Sequence, residues 1–187
     1  MNFSYVNFPP VPQEFIRPCL DMIPLIKTSP FLNKINELEG PAVRLTYVPA
    51  QCQKWLYQTV IFPYFRHLSQ NLMMPFIHVS QHQPNPDRGP ESHPIHIDYG
   101  RKYAFNYFLD LGGDDVYTHW YDADKNKTES HKVELNRWHI IAVNPELHSA
   151  DGILPGRQRV SISLNWDPPR PKPGFDARTY FKDILIS

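Results

Sequence analysis

Glycine is scarce, with 8 residues among 187, and cysteine is nearly missing, with only Cys19 and Cys52. Two cysteines build no disulfide framework and no CxxC-type metal knot. No apolar run approaches the roughly 20 residues that cross a bilayer. The N-terminus, Met1-Asn2-Phe3-Ser4, shows no basic segment followed by an apolar one, so no secretory signal is read there. Net charge is absent too, since 19 basic and 19 acidic residues cancel. Without a global field, nucleic acid and anionic membrane are disfavoured as partners. A soluble, cytoplasmic protein is expected. Proline, by contrast, is abundant at 20 residues, about twice its usual share of roughly 5%. That excess argues against an all-helical bundle and for short strands joined by rigid loops. A hydrophobic content of 41% is enough for a core, which excludes wholesale disorder.

The pattern divides one domain, 1–187, into three stretches. Residues 1–70 read as an extended arm (1–11) followed by helical segments. Phe15, Ile16, Cys19, Leu20 and Ile23 recur at helical spacing after Pro12, with Pro18 interrupting them. A second helical stretch runs from 50 to about 68 and is broken near Pro63. From 74 to 166 the period becomes two. Strands are predicted at 74–82, 94–98, 102–110, 115–121, 130–135, 138–143 and 159–166, with an earlier one at 42–48. Gly112-Gly113 suggests a hairpin turn, and 122–128 a polar loop. Residues 167–187 form a Pro-rich strap and a C-terminal segment, with a short helix expected at 180–185. Eight short strands preceded by helices predict a mainly β, two-sheet jelly roll of the cupin kind.

Chemistry concentrates in His96-Ile97-Asp98. On a strand, residues i and i+2 share a face, so an imidazole and a carboxylate project together. His148 follows in Asn144-Pro145-Glu146-Leu147-His148. Two histidines and one carboxylate form the facial set that leaves three positions open on a divalent metal. Downstream, Arg159-Val160-Ser161-Ile162-Ser163-Leu164 alternates strictly. Val160, Ile162 and Leu164 take the core, and Arg159 and Ser161 take the opposite face. A guanidinium in a barrel mouth is costly unless an anion meets it. A dicarboxylate that chelates the metal with one end would meet Arg159 and Ser161 with the other. Arg157 has the same parity as Arg159 and is its rival.

The order His96-x-Asp98, His148, Arg159-x-Ser161 resembles the Fe(II)/2-oxoglutarate-dependent oxygenase superfamily over residues 75–166. The stretches 96–109 and 137–149 are similar to its aspartyl/asparaginyl hydroxylase-like branch, some members of which lack the carboxylate ligand present here. The resemblance implies a double-stranded β-helix with the N-terminal helices packed on one sheet. It implies Fe(II) on His96, Asp98 and His148, and 2-oxoglutarate held at its far carboxylate by Arg159 with Ser161 assisting. It also implies an O2-dependent hydroxylase that releases succinate and CO2, acting on an amino acid, peptide side chain or small metabolite. An Asp at position 98 favours hydroxylation over halogenation, because related halogenases place halide there. The rival functions are a non-catalytic cupin-like module that binds metal or ligand, and a metal-dependent isomerase or hydrolase.

Other residues carry weaker signals. Asn106 is either a hydrogen-bonding residue of the co-substrate site or a satisfied core amide. His93 and the pair His119/Asp122 have i,i+3 spacing, which puts their members on opposite strand faces. His78, His82, His131 and His139 read as ordinary strand or turn residues. Arg101 and Lys102 read as a solvated turn. Substrate choice is expected to lie with 83–93 and 1–40.

Overall fold

The computed structural model describes residues 2–24, 43–65, 74–81, 93–98, 101–166 and 181–186. Eleven strands are present among them: β1 (Phe3–Val6), β2 (Val43–Tyr47), β3 (Phe76–Gln81), β4 (His93–His96), β5 (Tyr103–Asp110), β6 (Tyr117–Tyr121), β7 (Lys127–Lys132), β8 (Trp138–Ala142), β9 (Leu147–Asp151), β10 (Gln158–Trp166) and β11 (Leu185–Ile186). They form two antiparallel sheets, a large one ordered β11-β1-β8-β5-β10-β3-β2 and a small one ordered β4-β9-β6-β7. Helix α1 (Gln13–Asp21) contains Pro18 and stays short. Helix α2 (Ala50–Leu56) runs through a π-helical turn (Tyr57–Ile61) into α3 (Phe62–Phe65). The jelly-roll expectation therefore holds, with the helices on one sheet.

Alternation explains the layering. Val160, Ile162 and Leu164 of β10 join Ile77 and Val79 of β3, Phe105 and Tyr107 of β5, and Trp138 and Ile140 of β8 on one face of the large sheet. That face is sealed by Cys19 of α1, Cys52 and Leu56 of α2, and Val60 and Phe65 beyond it. Burying each such side chain contributes about 1.5–3 kcal/mol. The opposite face turns toward the small sheet and carries the polar residues of the same strands. The N-terminal arm is fixed across the β8 edge, where the Trp138 indole donates to the Pro9 carbonyl at 2.9 Å.

Four expectations change. The arm at 1–11 contains a true strand, because β1 pairs with β8 on one side and β11 on the other. The helix expected at 180–185 is, over its described residues, a single turn at 181–184 followed by β11. Ile184 and Leu185 both donate to the Phe181 carbonyl, and then β1 supplies a ladder partner. Gly112-Gly113 joins β5 to β6, which lie in different sheets, so it is a sheet-to-sheet crossing rather than a hairpin. Gly112 adopts φ +74°, and a side chain there would meet the Gln158 backbone at 2.8 Å. Finally β7 begins at 127 instead of 130. The Asp122 carboxylate accepts from the amides of Asp124 and Asn126 at 3.0 and 2.8 Å, which completes the turn early.

Candidate metal centre

A strand that the sequence pattern did not announce builds the site. His148 lies on β9, whose short, mixed run Leu147-His148-Ser149-Ala150-Asp151 lacks a clear apolar alternation. In the ladder between β4 and β9, His96 and His148 are direct cross-strand partners, their ring centroids 4.3 Å apart. Asp98 lies just past the end of β4. Its amide donates to the Val143 carbonyl at 2.9 Å, and its own carbonyl accepts from Asn144 Nδ2 at 2.6 Å. One ligand atom from each of the three residues lies within 4.8 Å of the others.

The ring orientations are set from behind. His96 Nδ1 lies 2.8 Å from the Pro94 carbonyl, and His148 Nδ1 lies 3.1 Å from the Glu146 carbonyl. A carbonyl only accepts, so each Nδ1 carries a hydrogen and a neutral ring leaves its Nε2 lone pair free. Both Nε2 atoms face Asp98 Oδ1, at 3.2 and 3.8 Å. Lone pairs converging on one another repel unless a cation sits among them. Two nitrogens and one oxygen suit a divalent first-row metal.

Electrostatics keep these groups in ligand form. Burial works to raise the Asp98 carboxyl, but the Arg101 guanidinium beside it opposes this, and the carboxyl is held well below the usual range. Burial lowers His148 to about 4, with His96 adding to the effect and Asp98 opposing it. His93 and His78, which face the same space, are pushed down to about 2 and about 3, chiefly by burial. All three rings are neutral at pH 7.

The triad opens into a cleft between the polar face of the large sheet and the small sheet. Arg159 and Ser161 line it, as does Asn106, while Arg157 does not. Arg157 is exposed and sits 3.9 Å from Asp110. Arg159 lies 5.4 Å above the Phe108 ring, and its buried Nη1 has no hydrogen-bond partner among the described residues. Burial lowers it to about 10, so it remains a cation. A buried unpaired guanidinium nitrogen is costly, and a carboxylate in the cleft would satisfy it. The residues present thus fit both a metal and an anionic co-substrate.

Several participants escaped the sequence reading. Arg101 is no solvated turn: it is 8% exposed and bonded to Asp98. Nothing in its spacing reveals this, because Arg101 lies beyond β4 and strand parity says nothing about it. Thr118 lines the cleft with a buried Oγ1 that has no hydrogen-bond partner among the described residues. Its inward parity with Val116 and Trp120 was a usable signal. His78 and His93 also line the cleft, and His78 sits opposite Ser161 across the β3–β10 ladder. His119 instead meets Ser130 at 2.8 Å, while Asp122 closes its turn. His131 and His139 pack with Phe3 and Tyr5 away from the triad. Lys102 is half-buried, and His82 lies outside the described residues.

No protein-family model and no curated protein matches the chain. Solved structures do. The non-heme α-ketoglutarate-dependent epimerase SnoN of nogalamycin biosynthesis aligns with 94% of this chain and 85% of its own, at 11% identity and a TM-score of 0.50. A Pseudomonas putida prolyl-4-hydroxylase aligns with 90% of this chain and 93% of its own, at 14% identity and a TM-score of 0.49. The first likeness shows a shared fold. No helix among the described residues is long and apolar enough to cross a membrane.

Proposed function

We propose that the chain is an Fe(II)- and 2-oxoglutarate-dependent dioxygenase that hydroxylates a C–H bond of an amino acid, a peptide side chain or a small metabolite. One observation carries this reading. The three converging donors of His96, Asp98 and His148 face the same cleft as the buried Nη1 of Arg159, which has no hydrogen-bond partner among the described residues. A metal alone would need only the triad, and an anion alone would need only the arginine. A dicarboxylate that chelates the metal requires both, in one space.

His96, Asp98 and His148 would hold the iron, and Arg159 with Ser161 would hold the far carboxylate, with Asn106 within the same wall. When bound, iron and 2-oxoglutarate supply O2 activation, giving succinate, CO2 and an oxidised substrate. The protein's own share is orientation and exclusion. The carbonyls of Pro94 and Glu146 fix the imidazole tautomers. Ala104, Ile141 and Val143 line the cleft with apolar surface, which strengthens each charged contact inside it. The Asp98 carboxylate takes the position a halide would need, so oxygen insertion is favoured over halogenation. The fold shared with an α-ketoglutarate-dependent epimerase agrees with this chemistry.

The test is incubation with Fe(II), 2-oxoglutarate, isotopically labelled O2 and a panel of amino acids, peptides and metabolites. Succinate should form only with iron present, and a hydroxylated product should carry the label. A chlorinated product at high chloride, or no consumption of 2-oxoglutarate across the panel, would overturn the proposal.

A further inference from the structure

We infer that Arg101 is a positioning residue of the metal centre, holding Asp98 as a one-oxygen ligand and tying it to the strand that carries Arg159. The inference rests on the reading of His96, Asp98 and His148 as metal ligands. Arginine and carboxylate commonly pair through two parallel bonds, one nitrogen to each oxygen. Here Nε and Nη2 both approach Oδ2, each at 2.7 Å. One carboxylate oxygen is therefore doubly engaged, and Oδ1 alone is left facing the imidazoles. A freely rotating Asp98 would offer either oxygen, or both.

The third guanidinium nitrogen reaches further. Arg101 Nη1 donates to Asn165 Oδ1 at 2.7 Å, and Ser163 Oγ donates to that same oxygen at 3.0 Å. Asn165 and Ser163 belong to β10, the strand of Arg159. One buried side chain thus links a metal ligand of the small-sheet side to the strand of the anion clamp. Arg101, Asp98 and Asn165 are 8%, 5% and 4% exposed, so water competes little for these bonds. The Arg101–Asp98 pair also cancels its own charge. A divalent ion held by Asp98 and two neutral imidazoles then keeps its full double charge, which favours a dianionic chelator in the remaining positions.

Mn(II) alone is a suitable probe, titrated without co-substrate into the wild type, Arg101→Met, Arg101→Lys and Asn165→Ala, with each variant's melting curve recorded. Calorimetry should show Mn(II) affinity falling about 10–100-fold in Arg101→Met, the usual scale for a partner behind a metal ligand. Arg101→Lys, which restores a charge but cannot reach both Oδ2 and Asn165, should recover part of that loss. The paramagnetic resonance of bound Mn(II) should change from one species to a mixture in Arg101→Met, as Asp98 samples one- and two-oxygen binding. A merely structural ion pair would leave that spectrum unchanged. Wild-type affinity and spectrum in Arg101→Met would overturn the assignment while leaving the metal centre intact. A wild type that binds no Mn(II) would overturn the metal reading and this inference with it. If Arg101→Met gives no cooperative melt, the other two variants decide, and unchanged affinity in both overturns the assignment.

Discussion

On one face of β10, the side chains of Val160, Ile162 and Leu164 are sealed beneath the helices and need no hydrogen-bond partner. On the other face, two residues apart, Arg159 and Ser161 line the cleft, while the Ser163 hydroxyl turns to Asn165. The first face is complete as it stands. The second is not, because Arg159 Nη1 and, across the cleft, Thr118 Oγ1 are buried with no hydrogen-bond partner among the described residues. A buried guanidinium nitrogen is the costliest kind of group to leave unpaired, and Arg159 Nη1 faces the cleft that holds the triad, so a ligand there would complete it. The two faces therefore separate stability from function along a single strand, and substitutions should separate in the same way.

The largest effect belongs to the polar side. His96→Ala and His148→Ala should weaken Fe(II) or Mn(II) binding by more than the roughly 10–100-fold cost of an outer-shell change, with melting nearly unmoved. Asp98→Ala should also destabilise the fold by about 3–5 kcal/mol, because it strands the buried Arg101 charge. Denaturant titration beside metal titration checks both. On the apolar face the effect reverses in kind. Ile162→Ala should cost about 2–5 kcal/mol of stability and leave metal affinity unchanged in whatever fraction remains folded.

Arg159→Ala should cost about 2–5 kcal/mol of 2-oxoglutarate binding with metal affinity intact, whereas the exposed Arg157→Ala should do neither. His139 sharpens the comparison by pH. It lies on β8 and is fully buried, with Nδ1 unpartnered and Nε2 donating to the Glu134 carbonyl at 3.1 Å. Burial lowers it to about 4 from 6.5. The unfolded chain thus takes up this proton first as pH falls. Its contribution to stability is complete above about 6.5 and declines down to about 4, by on the order of 3 kcal/mol. His139→Gln should flatten that part of the stability–pH curve. The smallest effect is expected for Thr118→Val. It should raise the melting temperature of the ligand-free protein, since it removes a buried hydroxyl worth about 1–3 kcal/mol in lost solvation, while weakening 2-oxoglutarate.

How much of this could be read from the sequence follows from which interactions are local. The alternation in 159–164 set both faces of β10, because strand parity needs only neighbours, whereas Asp98 lies past the end of β4 and is brought beside His96 by its backbone bonds to Val143 and Asn144. The two-sheet architecture followed from the same period. What failed needed partners that only the folded chain brings together. The strand β9 has little apolar character of its own, and it exists because β4 and β6 flank it. Arg101 reads as a polar loop residue until Asp98 and Asn165 fold against it. The β11 strand forms only because β1 offers an open edge. Choosing Arg159 over Arg157 as the cleft-facing cation required the cleft itself.

The central claim is that one anionic co-substrate bridges the triad and Arg159. The most direct measurement is a calorimetric titration of 2-oxoglutarate into the protein with and without Mn(II), under anaerobic conditions, in the wild type, His148→Ala and Arg159→Ala. Metal-dependent binding is expected in the wild type, lost in His148→Ala and severely weakened in Arg159→Ala. Equal affinity with and without the metal, or an Arg159→Ala variant that binds like the wild type, would contradict it.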